Sequence, residues 1–255
     1  MKAIGFGLTD RGKRRPLNED YYICDNENNI YVVADGMGGI EGGELASKMA
    51  VDVFLTTIYT FLHDEEITLP FEIDTNYEYL ASIIKYAADQ ANASVYKYGL
   101  NNPAKRGMGT TFTVALANGE KLYVGHIGDS RLYRVRGGEI TQLSEDHTLV
   151  HEMVKIGKIT PQEARFHPKK NIITRSLGPR NKINLDLFSE QLMIEDIYLL
   201  CSDGLYGMVE EEEFHAELLS YEGKDLEDLG KNLISLANEG GGRDNITLIL
   251  FKIEK

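Results

Sequence analysis

Aspartates recur at comparable places along the 255-residue sequence. Asp35 closes the run NIYVVAD, Asp203 closes IYLLCSD, and Asp129 follows LYVGHIG. Asp244 lies in GGGRDN just ahead of ITLILF, and Asp20 follows Glu19 in RPLNEDYY. A single strand-end Asp is ordinarily a turn former or a helix cap. Several such residues, two of them Asp-Gly pairs ahead of helix-like segments, imply more. Carboxylates at one end of packed sheets would converge, and like charges that close are tolerated when a cation joins them. All-oxygen ligands suit Mg²⁺, Mn²⁺ or Ca²⁺ rather than zinc. Shared carboxylates also allow a metal pair about 3.5–4 Å apart, which draws in a phosphate and ionises a bridging water near neutral pH. Such a site needs no side-chain nucleophile.

Other chemistries fail on their templates. The stretch VVADGMGGIEGGELAS, Val32 to Ser47, holds five glycines in eight residues. Counted from Gly36, the dinucleotide pattern puts Glu41 where its last glycine belongs, and no Gly-Lys-Ser/Thr follows to make a P-loop. HEMVK at His151 lacks the second histidine of a zinc helix, and Ile30 takes the glycine position of a calcium loop at DNENNI. There is no G-x-S-x-G, and neither cysteine has a neighbouring histidine. Cys201 therefore reads as a packing thiol on an apolar strand. The basic run RGKRR, Arg11 to Arg15, is of a kind usually found as a solvated turn. Here it leads into Glu19-Asp20, and Arg15, nearest to them, is placed to clamp a phosphate dianion through two parallel hydrogen bonds.

The elements that must carry these residues are legible from periodicity. Met49, Ala50, Val53, Phe54, Ile58, Phe61 and Leu62 are spaced as one face of a helix, as are Leu80, Ile83, Ile84, Ala87, Ala88, Ala91 and Val95. Pro70 and its polar surroundings separate the two. A third helix is expected over Leu226 to Ala237, stopped at Gly240, and a fourth at Glu210 to Glu213, where negative charge suits a helix start. Strands are expected in NIYVVAD, TTFTVALA, KLYVGHIGDSRLYRVR, EITQL, IYLLCSD and NITLILFKI, with Gly137-Gly138 as a two-residue hairpin turn. Helices follow helices and strands follow strands, which makes the fold α+β rather than doubly wound. No linker, repeat or boundary divides the chain, so one domain over 1–255 is expected. The irregular segment 147–170, with Pro161 and Pro168, reads as a partly helical insertion.

Bulk properties agree with an ordinary globular protein, 42% apolar and 26% charged. A net charge of −13 disfavours nucleic acid and anionic membranes as partners. Two cysteines, Cys24 and Cys201, make neither a disulfide framework nor a zinc site. No apolar stretch approaches the roughly 20 residues that span a bilayer, and Ala3 to Leu8 is too short for a signal peptide core. A cytoplasmic monomer without membrane insertion is the expectation.

Taken in order, RRPLNED, VVADGMGG, GMGTTFTVAL, VGHIGDSRLYRVRGGEITQLSEDHT, IITRSLG, LLCSDGLYGMV and GGRDNITLILF span nearly the whole chain. In these motifs the sequence resembles the metal-dependent serine/threonine protein phosphatases of type 2C, in their compact bacterial form. The resemblance implies a four-layer α-β-β-α sandwich, two antiparallel sheets flanked by helix pairs. It implies hydrolysis of phosphoserine and phosphothreonine by hydroxide bridging two divalent metals, Mn²⁺ or Mg²⁺, reversing a companion serine/threonine kinase. Asp35 would bridge the two ions, with the Gly36 carbonyl on the second and Asp203 and Asp244 on the first. Glu19 and Asp20 would act through water, Asp129 would help Asp203 hold a weaker third ion, and Arg15 would hold the substrate phosphate. Residues 147–170 would be the flap beside the active site. Two positions depart from the eukaryotic pattern: Met37 stands where a histidine is the proposed general acid, and Gly207 stands where another carboxylate is common. His126 and His147 are expected to be structural. Alternatives to a protein phosphatase are a hydrolase of nucleotides or other small phosphoesters, an inactive phosphatase-like binding module, and a structural calcium site.

Overall fold

A computed structural model describes residues 1–39, 42–63, 78–221 and 225–255. In chain order its strands are β1 (Lys2–Asp10), β2 (Asp20–Asp25), β3 (Ile30–Met37), β4 (Gly109–Thr110), β5 (Phe112–Asn118) and β6 (Lys121–Ile127). They continue as β7 (Arg131–Arg136), β8 (Glu139–Gln142), β9 (Asp186–Gln191), β10 (Ile197–Cys201) and β11 (Ile246–Glu254). The helices are α1 (Gly42–His63), α2 (Tyr79–Asn101), α3 (Leu149–Lys155), α4 (Pro161–Phe166), α5 (Asp203–Tyr206), α6 (Glu211–Leu219) and α7 (Leu226–Glu239). The separator at Pro70 lies outside the described residues.

Two antiparallel sheets result, one ordered β1-β11-β10-β7-β8 and the other β2-β3-β5-β6-β9, with β4 paired to the end of β3. Alternation along the central strands decides how they stack. Ile30, Val32 and Ala34 of β3 face α1 and α2, packing with Ala50, Phe54, Ile58 and Ile84. Between them Tyr31 and Val33 face the other sheet, meeting Leu200, Ile249 and Phe251. Strand β10 does the same: Leu199 and Cys201 pack on Phe214, Leu229 and Leu233 of α6 and α7, while Tyr198 and Leu200 point inward. Phe251 stacks on Tyr31 at 4.2 Å and on Tyr198 at 4.9 Å between centroids, joining the sheets. Both faces of the central strands are buried, so they read as unbroken apolar runs. The architecture is the expected four-layer sandwich.

Several local expectations hold. Gly137 and Gly138 both take positive φ, +58° and +82°, as a primed two-residue hairpin between β7 and β8 requires. Helix α7 ends at Gly240, and α6 begins with three glutamates in its first turn. Other details differ. The run KLYVGHIGDSRLYRVR is two strands in different sheets, β6 and β7, broken at Gly128–Ser130. Strands β1, β2 and β9 form where the sequence pattern predicts none. In β1, Gly5 and Gly7 conceal the pattern because their missing side chains make room for the rings of Tyr31 and Tyr22. Helix α1, at 22 residues, is long and apolar enough to cross a membrane, contrary to the sequence reading; here Ala46, Ala50, Phe54 and Ile58 are buried in the core.

Register places the candidate residues together. In the first sheet Asp10 pairs with Ile246, Leu248 with Cys201, and Cys201 with Arg131, so the turns holding Asp129, Asp203 and Asp244 share one end. In the second sheet Asp20 pairs with Asp35, Phe112 with Ile127, and His126 with Asp186. The chain changes sheets between β1 and β2 and between β6 and β7, at the segments carrying Glu19-Asp20 and Asp129.

Candidate active site

Asp35 is held through its backbone. Its N–H donates to Thr111 Oγ1 at 2.8 Å, and its carbonyl accepts from the Thr111 N–H at 2.8 Å and Thr110 Oγ1 at 2.9 Å. Thr111 is steadied in turn by Ser130 Oγ at 2.7 Å, the residue after Asp129. Strand β3 does not end at Asp35 as expected but continues through Gly36 and Met37, paired to β4. Asp20 is buried: its Oδ2 accepts from Ser202 Oγ at 2.7 Å, and that same hydroxyl accepts from the Thr247 N–H at 3.0 Å. Asn245 ties the remaining pieces. Its Oδ1 accepts from the Glu19 N–H at 2.8 Å, and its Nδ2 donates to the carbonyls of Arg11 and Leu17, both at 2.9 Å. Arg15 donates to Asp244 Oδ2 at 2.6 Å.

Gly36 illustrates how tightly the site is assembled. A Cβ there would stand 2.1 Å from the Gly43 carbonyl oxygen and 2.5 Å from that of Glu19, backbone on two sides. Gly36→Ala is therefore expected to cost about 3 kcal/mol, since α1 or the Glu19 segment must shift to admit it. Gly39→Ala, with nothing among the described residues within 4 Å, should cost less than about 0.5 kcal/mol. Urea denaturation of both variants checks the contrast.

The electrostatics are those of crowded acids. Burial raises the carboxyls of Asp20, Asp35, Asp129 and Asp203 above the ordinary carboxylate range. Mutual repulsion adds to it: the charges of Asp20, Asp203, Asp129 and Asp244 all act on Asp35. One oxygen each of Asp20, Asp129 and Asp203 is buried without a hydrogen-bond partner among the described residues. Unsatisfied buried carboxylate oxygens are costly, and in an all-oxygen cluster a hard divalent cation is the group that satisfies them. Among the described residues no three acidic, histidine or cysteine side chains already stand as a closed ligand shell. The acids are neighbours in one field rather than a finished cage, and Arg15 supplies counter-charge to Asp244. On these grounds the residues present fit divalent cations.

The structure thus brings all the expected residues together: Arg15, Glu19, Asp20, Asp35, Gly36, Asp129, Asp203 and Asp244. The Gly36 N–H donates to the Glu19 carbonyl at 3.1 Å, and the charges of Glu19 and Asp35 both act on Arg15. Sequence reading assigned no part to Thr110, Thr111, Ser202 and Asn245, although all four lay inside the quoted motifs. Hydroxyl and amide residues directly beside the aspartates were the available signal.

The remaining candidates are structural. His126 is buried between Thr113 Oγ1 at 2.9 Å and the Glu145 carbonyl at 3.0 Å, and burial pushes it down to about 4. His147 Nδ1 accepts from the Gly128 N–H at 3.0 Å, leaving Nε2 to donate to Asp186 at 2.9 Å. Arg131 lies over the ring of Tyr206 at 3.6 Å and pairs with Asp146 at 2.6 Å, while Tyr206 OH donates to the Asp129 carbonyl at 2.9 Å. Burial pushes the Cys201 thiol up to about 12, unfit for a nucleophile. Gly207 caps α5 and brings no carboxylate.

Comparison with known proteins agrees with this reading. The family model described as protein phosphatase 2C matches residues 11–230. The protein phosphatase PhpP of Streptococcus pneumoniae is 38% identical over 253 residues, covering 97% of this chain and 96% of that protein. The crystal structure of the Mycobacterium tuberculosis serine/threonine phosphatase PstP/Ppp superposes with a TM-score of 0.86 at 33% identity, each chain fully covered. The catalytic domain of a PstP in complex with two manganese ions gives 0.84 at 31% identity, over 100% of this chain and 99% of that one. With its oxygen-rich cluster at the meeting of two sheets, the chain belongs to the protein phosphatase 2C family and is a metal-dependent serine/threonine phosphatase.

Proposed function

We propose that the cluster binds two divalent ions, Mn²⁺ or Mg²⁺, and acts on phosphorylated proteins, among them a companion serine/threonine kinase. The unpartnered buried oxygens among mutually repelling aspartates carry this reading. Asp35 would reach both ions, with the Gly36 carbonyl on one and Asp203 and Asp244 on the other. Glu19 and Asp20 would act through ordered water, and Asp129 with Asp203 would hold a weaker third ion. When bound, such ions make water a nucleophile near neutral pH and offset charge on the phosphate. The chain's own residues do the positioning. Thr110 and Thr111 fix Asp35, Ser202 orients Asp20, and Asn245 sets the Arg11–Leu17 loop. One N–H of Arg15 engages Asp244, and the rest of its fork would receive two phosphate oxygens.

We read residues 1–255 as one domain with 147–170 as the flap beside the site, in a monomeric, cytoplasmic protein. Helices α3 and α4 lie in this segment, each started by a threonine cap, and α4 carries a full capping box from Thr160 and Glu163. Hydrolysis of a phosphothreonine peptide in Mn²⁺ should stop with EDTA and outcompete hydrolysis of nucleoside phosphates. Arg15→Ala should raise KM for the peptide about tenfold or more, as loss of a charge-assisted pair does. Turnover unaffected by EDTA, or faster on nucleotides, would remove the proposal.

A further inference from the structure

Arg15 shares the basic run with Arg11, Lys13 and Arg14. Its neighbours are not scattered on the surface. The N–H groups of Lys13 and Arg14 both donate to the Gly242 carbonyl, at 2.7 and 3.1 Å. Gly12, at φ +73°, lies against the Asp244 backbone, where a Cβ would stand 2.1 Å from the carbonyl oxygen. Together with Asn245 on the Arg11 and Leu17 carbonyls, these bonds fasten the loop after β1 to the loop before β11. Lys13, Arg14 and Arg243 are thereby held on two adjoining loops, each within two residues of Arg15 or Asp244. All three are exposed, and none pairs with an acid among the described residues. Lys170, at the far end of the 147–170 segment, is also exposed and unpaired among them, and its positive charge acts on Asp203.

The chain as a whole carries a net charge of −13. An acidic surface repels acidic partners, and exposed cations grouped on loops that border the site would reverse that locally. Exposed charges of this kind set which partner approaches and how fast, more than they set final affinity. A free phosphate is already served by Arg15, so additional cations outside it address charges outside the phosphate.

Resting on the phosphopeptide reading, we propose that Lys13, Arg14 and Arg243, together with Lys170, bind acidic side chains flanking the phosphorylated residue, so that the preferred substrates are acidic phosphopeptide segments. Two phosphothreonine peptides identical except for glutamates or glutamines around the phosphothreonine test it, assayed with Mn²⁺. The glutamate peptide should have the higher kcat/KM by about tenfold at low salt, the sum of several exposed pairs. The preference should fall toward unity near 0.5 M salt, where screening shortens to a few ångströms. In the K13E/R14E/R243E variant it should invert, and single Lys13→Glu and Arg243→Glu variants, each a surface change, should reduce it stepwise. Equal cleavage of both peptides would overturn the role of these cations and leave the phosphopeptide reading standing. Cleavage of neither would remove that reading and this inference with it. Preference persisting in the variants, or inhibition by duplex DNA stronger than by the unphosphorylated glutamate peptide, would also overturn it.

Discussion

Asp35→Asn is expected to abolish turnover while leaving the metal-free protein at least as stable as the parent. The two halves follow from different atoms of one residue. The backbone of Asp35 is bound by Thr110 and Thr111, and asparagine keeps those bonds. Its carboxyl is the part that costs energy, because burial and the charges of Asp20, Asp203, Asp129 and Asp244 all disfavour ionisation. An amide of the same shape removes the charge and the repulsion together. Catalysis loses the carboxylate proposed to reach both ions; metal chemistry supplies several kcal/mol, and about 4 kcal/mol corresponds to a thousandfold in rate. Phosphopeptide turnover should fall by about that factor or more. The rise in melting temperature that Mn²⁺ gives the parent should shrink in the variant, since a ligand that binds only the native state stabilises by mass action. A metal-free Asp35→Asn protein that melts several degrees below the parent would mean that this carboxylate holds the fold together rather than a cation.

Much of this site could be read from the chain before any coordinates. Asp35, Asp129, Asp203 and Asp244 stand out because a charged residue beside the end of a buried strand is a local pattern. The long helices were legible for the same reason, their apolar spacing lying within a single window. What escaped was non-local. Thr111 meets Asp35 from 76 residues away, Asn245 reaches Glu19 across 226, and Ser202 reaches Asp20 across 182. No spacing rule reports a hydrogen bond closed only when two sheets stack. The split of KLYVGHIGDSRLYRVR was hidden differently: β6 is buried on both faces and loses its alternation, so its pattern does not mark where the chain passes into β7 of the other sheet. Strand β9 escaped because it is a half-exposed edge whose DLFSEQ carries no apolar stripe.

The same crowding of acids that makes the site useful should make the metal-free fold weaken as pH rises. An unfolded carboxyl ionises near pH 4, whereas burial holds Asp203 protonated to about 6 and Asp20 to about 7. Between those limits the native state binds more protons than the unfolded one, so unfolding gains from each step up in pH. Below pH 4 both states are protonated and the contribution is whole; above the raised values it is lost. Asp20 shares this loss with the aspartates around it, and it is read as a melting temperature that falls by several degrees across the range. Acids with partners pull the other way: Asp186, bonded to Arg175 and His147, is held below the usual range and stabilises above it. The comparison that isolates the cluster is therefore parent against Asp20→Asn, both in EDTA. The variant should gain on the parent from pH 4.5 to 7.5 and keep the Ser202 hydrogen bond. Restoring Mn²⁺ should raise the parent most at the upper end of that range, because a divalent cation replaces the protons that the acids would otherwise retain. Equal pH profiles for the two metal-free proteins would show that Asp20 ionises freely and feels no neighbouring charge.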